Sequence, residues 1–137
     1  MDITFPVEFV VGGTAVSLSA KRRESVAEWK ERIKAAGKRA LPEGYFANDG
    51  PLAVTLYYFP DAEMQGDIDN IVKPVLDAMS RDIYADDRQI ERVVVQKFEP
   101  GGIFRFSAPS DALEQALNGD KPVLYVRLSD NPSEELV

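Results

Sequence analysis

Gly66-Asp67-Ile68-Asp69-Asn70-Ile71-Val72-Lys73-Pro74 is the stretch on which the fold turns. It follows Leu52 to Phe59, a run dense in β-branched and aromatic residues that predicts a strong, central strand. It precedes Ile71, Val75, Ala78 and Met79, whose spacing predicts a helix over 71–81 with one apolar face. Pro74 restricts where that helix can begin. A residue without an N–H is tolerated near a helix start, so the helix should open close to Asn70, with Asn70 or Asp69 as its cap. Ile83-Tyr84-Ala85 then leads into an Asp86-Asp87-Arg88 loop, and Gln89 to Phe98 predicts another strand around Val93-Val94-Val95. Alternation of strand, helix and strand points to an α/β arrangement.

The same stretch carries the chemistry. Residues two apart in an extended segment point to one side, so Asp67 and Asp69 can face one point in space. Two bare carboxylates at contact distance repel by roughly 4 kcal/mol at an effective dielectric near 20. A divalent cation would relieve that repulsion. The chain has no His and no Cys, so its ligands must be oxygen, which suits Mg²⁺ or Mn²⁺ and argues against zinc. Asp87, and Asp86 as a fourth candidate, would join the pair if the intervening helix returns their loop beside it. A bound ion would lower the pKa of a water and make a nucleophile for phosphodiester attack. Lys73 would hold the phosphate or stabilise developing negative charge.

Plainer readings stand beside this one. Asp-x-Asp-Asn before a helix also serves as a solvated turn and cap, and Asp86-Asp87 as a surface loop. Lys73 and Asp77 could be only a helix pair worth about 0.3 kcal/mol. A calcium-binding helix–loop–helix is excluded, because Ile71 stands where a third oxygen ligand is needed. Nucleophilic triads are disfavoured by the lack of His.

Working outward, Ile3, Phe5, Val7, Phe9 and Val11 alternate with mostly polar residues and predict a half-buried strand, with Pro6 favouring a sheet edge. Gly12-Gly13 ends it. Lys21 to Arg39 predicts a helix, with Val26, Trp29, Ile33, Ala36 and Ala40 on one stripe. Basic residues flank the stripe in two rows, one of them Arg23, Lys30 and Lys34. These rows either snorkel around a buried seam or lie along a phosphate backbone. Beyond the Gln89 to Phe98 strand, Pro100-Gly101-Gly102 predicts a hairpin into Ile103 to Ser107. Ser110 should cap a short helix to Asn118, and Pro122 to Leu128 should form a last strand.

A length of 137 residues suffices for one domain with a sizeable core. The expected organisation is a single domain over 1–128, α/β of the α+β kind, with a mixed sheet, two main helices and a short third. A flexible acidic tail is expected over 129–137. The absence of Cys fits a reducing compartment, and no apolar run is long enough to span a membrane. A cytoplasmic protein is the expectation. The net charge of −7 is unusual for a nucleic-acid binder, but its distribution is lopsided. Segment 21–39 holds eight Lys/Arg against three Glu, leaving −12 for the remainder.

Residues 66–79, followed by Ile83-Tyr84-Ala85-Asp86-Asp87-Arg88-Gln89-Ile90, resemble the RusA family of Holliday junction resolvases. The shared pattern is Asp-x-Asp-Asn-x-x-Lys-x-x-x-Asp, a helix, and then Asp-Asp-x-Gln-Ile leading into a strand. The resemblance implies a small homodimeric endonuclease that needs Mg²⁺ or Mn²⁺ and cuts branched DNA, such as a four-way junction. Asp67, Asp69 and Asp87 match the family's catalytic carboxylates, and Lys73 its catalytic lysine. The implied metal ligands are Asp67, Asp69 and Asp87, with Asp86 beside them. Phosphate contacts then fall to Arg23, Lys30, Lys34, Lys73 and Arg88. The rival reading is a non-catalytic module of the same fold that binds a protein partner or DNA.

Overall fold

Strands Val7–Gly12 (β1), Leu52–Phe59 (β2), Ile90–Lys97 (β3) and Val123–Ser129 (β4) form one mixed sheet in the order β1-β4-β2-β3. The helices are Arg23–Arg39 (α1), Asp69–Met79 (α2) and Asp111–Asn118 (α3), and Asp87–Gln89 forms a 3-10 turn. This computed structural model describes residues 4–15, 23–45, 47–63 and 66–134, without the side chains of 23 and 24. The chain is a small single domain of the α+β class.

The core explains the order. β2 pairs parallel with β3 and antiparallel with β4, while β1 pairs antiparallel with β4. Parallel neighbours need a long crossover, and α2 supplies it. Val54, Leu56 and Tyr58 of β2 face Trp29, Ile33 and Ala36 of α1 and Ile71, Val75 and Met79 of α2. The alternate residues of β2 and β4 point the other way, where Phe59, Val123 and Tyr125 pack against Leu113 and Ala116 of α3. β2 is thus covered on both faces, as expected of a central strand, with Thr55 and Tyr57 half-buried. β1 lies at an edge, as Pro6 predicts.

Several expectations change. Ala40 is exposed beyond the end of α1, so the buried stripe ends at Ala36. The capping position of α2 is Ile68, whose side chain makes no capping bond. The N–H groups of Asn70 and Ile71 are taken instead by the carbonyls of Asp67 and Ile68, at 3.1 and 3.0 Å. The helix still opens at Asp69, close to Asn70 as expected, with Pro74 in its second turn. Segment 103–107 is not a strand. Phe104 and Phe106 fold onto Phe98, with centroids 4.7 and 5.5 Å away, and aromatic packing replaces a hairpin ladder. Ser110 does cap α3, accepting from Leu113 N–H, and Gly119 ends it. Residues 130–134 turn back over the sheet, where Glu134 meets Arg127. Residues 135–137 of the expected tail, Ile3 of the first strand, and 16–22, with the first turn expected of the basic helix, lie outside the described residues.

Candidate active site

Asp67 and Asp69 lie where the chain leaves β2 and begins α2, and both are exposed. Asp69 occupies the first turn, where the helix's positive end favours a carboxylate. Lys73 is exposed one turn further on. Nothing buries these three side chains, so they are available to a ligand.

Asp86 and Asp87 lie at the other end of the crossover, between α2 and β3. Their turn is tightly specified. Asp86 caps it by accepting from Arg88 N–H at 2.9 Å, while Gln89 Oε1 accepts from Asp86 N–H at 2.8 Å. Gln89 Nε2 donates to the carbonyls of Asn48 at 2.8 Å and Gly50 at 2.7 Å, clamping the turn to the loop before β2. The Arg88 N–H bond chiefly holds the Asp86 carboxyl below its ordinary range. The Arg88 guanidinium adds to this from 3.5 Å. Asp87 is oriented by Tyr84, whose hydroxyl lies 2.7 Å from Asp87 Oδ1 and 3.0 Å from the carbonyl oxygen of Leu76. Burial, and then the hydrogen bond to Asp87, push the Tyr84 hydroxyl well above its usual value. Asp77 and Asp86 also contribute to that field.

The topology therefore separates the two acidic pairs. Asp69 opens α2, and Leu76, the residue that Tyr84 ties to Asp87, lies about 10 Å further along the helix axis. Among the described residues, no three acidic side chains of one chain are placed to share a metal ion. Mg²⁺ keeps several waters and is held by one or two carboxylates, so in one chain an ion would meet one acidic pair and not both. The structure joins Asp87 with Tyr84 and brings Asp77 and Asp86 near, while Asp67 and Asp69 stay with Lys73 at the opposite end.

The basic residues of α1 divide as well. Lys30 pairs with Asp77 at 3.5 Å. Lys34 pairs with Asp82 at 2.9 Å, and Lys38 approaches the same carboxylate at 3.8 Å. These pairs tie α1 to α2 and to the turn after it, so Lys30 and Lys34 already have carboxylate partners. The Arg23 side chain lies outside the described residues. Arg88 is almost fully exposed beside Asp86.

Two residues had no functional role in the sequence reading: Tyr84 and Gln89. Both lie in the motif, and their offsets of three residues from Asp87 and Asp86 are the only signal they carry. The buried Tyr84 hydroxyl finds a partner in Asp87, and the half-buried Gln89 amide finds its partners in Asp86 and in the loop before β2.

Geometry alone defines a mixed α+β domain with exposed carboxylates at both ends of a crossover helix. Residues 12–104 match the model of a known family, endodeoxyribonuclease RusA, a span that includes both acidic pairs and Lys73. The chain belongs to the RusA family. No curated protein sequence matches it.

Proposed function

We propose that the protein is an endodeoxyribonuclease that cuts Holliday junctions or related branched DNA as a homodimer with Mg²⁺ or Mn²⁺. The observation that carries this reading is the family match over 12–104, coupled with the exposure of Asp67, Asp69, Lys73 and Asp87. Asp67, Asp69 and Asp87 are the proposed metal-binding and catalytic carboxylates, with Asp86 beside them. Lys73 and Arg88 are the proposed phosphate contacts nearest to them. Because α2 keeps the two acidic pairs apart, the ion is proposed to lie between two copies. A two-fold pair with antiparallel α2 helices would set Asp67 and Asp69 of one copy beside Asp86 and Asp87 of the other. The test is nicking of a synthetic four-way junction with and without Mg²⁺. Wild type should cut only with the ion, and Asp69→Asn should not cut.

A second reading is a non-catalytic module that binds a protein partner or DNA. It is favoured by the −7 charge and by the engagement of Lys30 and Lys34 in internal pairs. Salt dependence separates a protein partner from DNA. Binding through phosphates weakens linearly in log salt, by about 0.9 per phosphate neutralised, whereas association with a protein partner need not.

A further inference from the structure

On the sheet face opposite α1 and α2 lies a cleft of about 820 Å³ whose lining includes none of Asp67, Asp69, Asp86 and Asp87. Thr55, Val94 and Tyr125 line it, together with Arg92 of β3 and Arg127 of β4. Strand register explains why the two arginines share this face. Arg127 is paired with Thr55, and Arg92 with Ala53, two residues back on the same strand. Two carboxylates, Glu8 and Glu134, line the cleft with the two guanidinium groups, so its charges balance as long as Glu134 stays in place.

Both arginines converge on Glu134. Arg127 Nη1 contacts Glu134 Oε1 at 2.7 Å, and Arg92 Nη1 donates to the Glu134 backbone carbonyl at 3.4 Å. A series of turn bonds delivers Glu134 there. Asn131 N–H donates to Ser129 Oγ, Ser133 N–H to Asn131 Oδ1, and Glu134 N–H to Asn131 O. The hydrogen bond from Arg127 holds the Glu134 carboxyl below its ordinary range. Across the strand, Glu8 is occupied elsewhere, accepting from the hydroxyls of Tyr125 and Ser110. Its charge still acts on Arg127 through space, after the stronger hydrogen bond and charge of Glu134.

Guanidinium forks suit phosphate as well as carboxylate, because both present paired oxygens. We propose that Arg92 and Arg127 form a phosphate-binding site for a nucleic-acid backbone, and that Glu134 occupies it as an internal competitor. This site is separate from the carboxylates, and its assignment to nucleic acid rests on the DNA substrate proposed above. An intramolecular carboxylate competes at an effective concentration that can reach the millimolar range. Removing it should therefore raise affinity for a phosphate ligand, by about fivefold where the displaced ion pair is half-exposed.

The experiment uses the full chain in EDTA, so that nothing is cut. Inorganic phosphate is titrated while the side-chain Nε–Hε NMR signals of Arg92 and Arg127 are followed. In parallel, binding of a labelled four-way junction is measured across salt concentrations. Glu134→Gln should respond to phosphate at about fivefold lower concentration than wild type. It should also bind the junction more tightly, with a salt slope steeper by about 0.9 to 2. Arg92→Gln/Arg127→Gln added to Glu134→Gln should erase both gains, with thermal unfolding confirming that the variants are folded. If phosphate moves neither arginine signal in Glu134→Gln, the anion site is refuted. If phosphate binds and the junction affinity stays at the wild-type value, the nucleic-acid assignment is refuted. Neither outcome depends on cleavage, so the endonuclease reading stands or falls separately on Mg²⁺-dependent nicking.

Discussion

The hydroxyl of Tyr84 lies 2.7 Å from Asp87 Oδ1 and 3.0 Å from the carbonyl oxygen of Leu76. A phenol has one proton, so it serves one of these acceptors at a time. Asp87 is exposed, and this hydroxyl, backed by the end of α2, fixes its direction. Tyr84→Phe keeps the ring in the core and removes only that hold. We expect its junction nicking to fall about tenfold, by analogy with lost outer-shell partners of a ligating group, while thermal stability drops by about 1 kcal/mol. Nicking at the wild-type rate would show that Asp87 needs no such orientation.

Separation of the acidic pairs along α2 gives a mixing test. Asp69→Asn and Asp87→Asn chains should each be inactive alone. When mixed and allowed to exchange, half of the pairs are hybrids, and each hybrid carries one intact site if the sites are built across the two-fold axis. About a quarter of wild-type sites should then recover, appearing as single nicks rather than paired ones. No recovery would mean that each site is built within one chain.

Lys73 stands alone in its turn as a cation near Asp69. Lys73→Ala should lower nicking by about 10²-fold or more, in line with the loss of a group that stabilises transition-state charge. Its effect on unfolding should stay within about 0.5 kcal/mol, because the side chain is exposed. Equal damage to stability and activity would contradict a chemical role.

Asp82 joins α1 to the turn after α2 through Lys34 and Lys38. The Lys34 hydrogen bond is the main cause that holds its carboxyl below the ordinary value of 3.8. A folded state that binds a proton more weakly than the unfolded chain gains stability above that value. The gain is lost as pH falls through the lower folded value. The same bond raises Lys34 above 10.5, so its contribution is present below 10.5 and is lost as pH rises through the higher folded value. Urea unfolding of wild type and Asp82→Asn should differ at neutral pH and converge as pH falls from 3.8 through the lower folded value. Parallel curves throughout would remove Asp82 from the acid response.

Gly37 is a packing position. A methyl there would overlap Ile83 Cδ1 and approach Phe9 Cζ to 3.3 Å. Helix propensity favours alanine by about 1 kcal/mol, while overpacking costs about 1 to 3 kcal/mol. Gly37→Ala should thus destabilise the protein by about 1 kcal/mol in chemical unfolding. A more stable variant would mean that Ile83 rearranges at little cost.

Much of this was legible in the sequence, for identifiable reasons. Leu52–Phe59 and the stripe Val26, Trp29, Ile33 and Ala36 declare themselves through local periodicity, which follows directly from backbone geometry. Ser110 and Gly119 declare a helix's ends through capping chemistry. Segment 103–107 misled because its aromatic residues suit a strand and an aromatic cluster equally, and only the position of Phe98 and Tyr57 decides between them. Glu134 was hidden because its partners, Arg127 and Arg92, lie on other elements and in a register that no local pattern reveals. In the candidate site, motif spacing singled out the acidic residues and Lys73 as candidates. It placed a helix between the two pairs but did not reveal that they lie at its opposite ends, because that depends on β2 and β3 running parallel.

This crossover has a mechanical corollary. α2 spans eleven residues, about 16 Å of hydrogen-bonded rod, with Asp69 in its first turn and Asp87 tied through Tyr84 to Leu76 towards its other end. In a two-fold assembly with antiparallel rods, it would act as a ruler: the distance between two incisions would be written into a helix length. Splicing one extra turn into α2 would move the cutting points by about 5 Å, close to the rise of one and a half base steps.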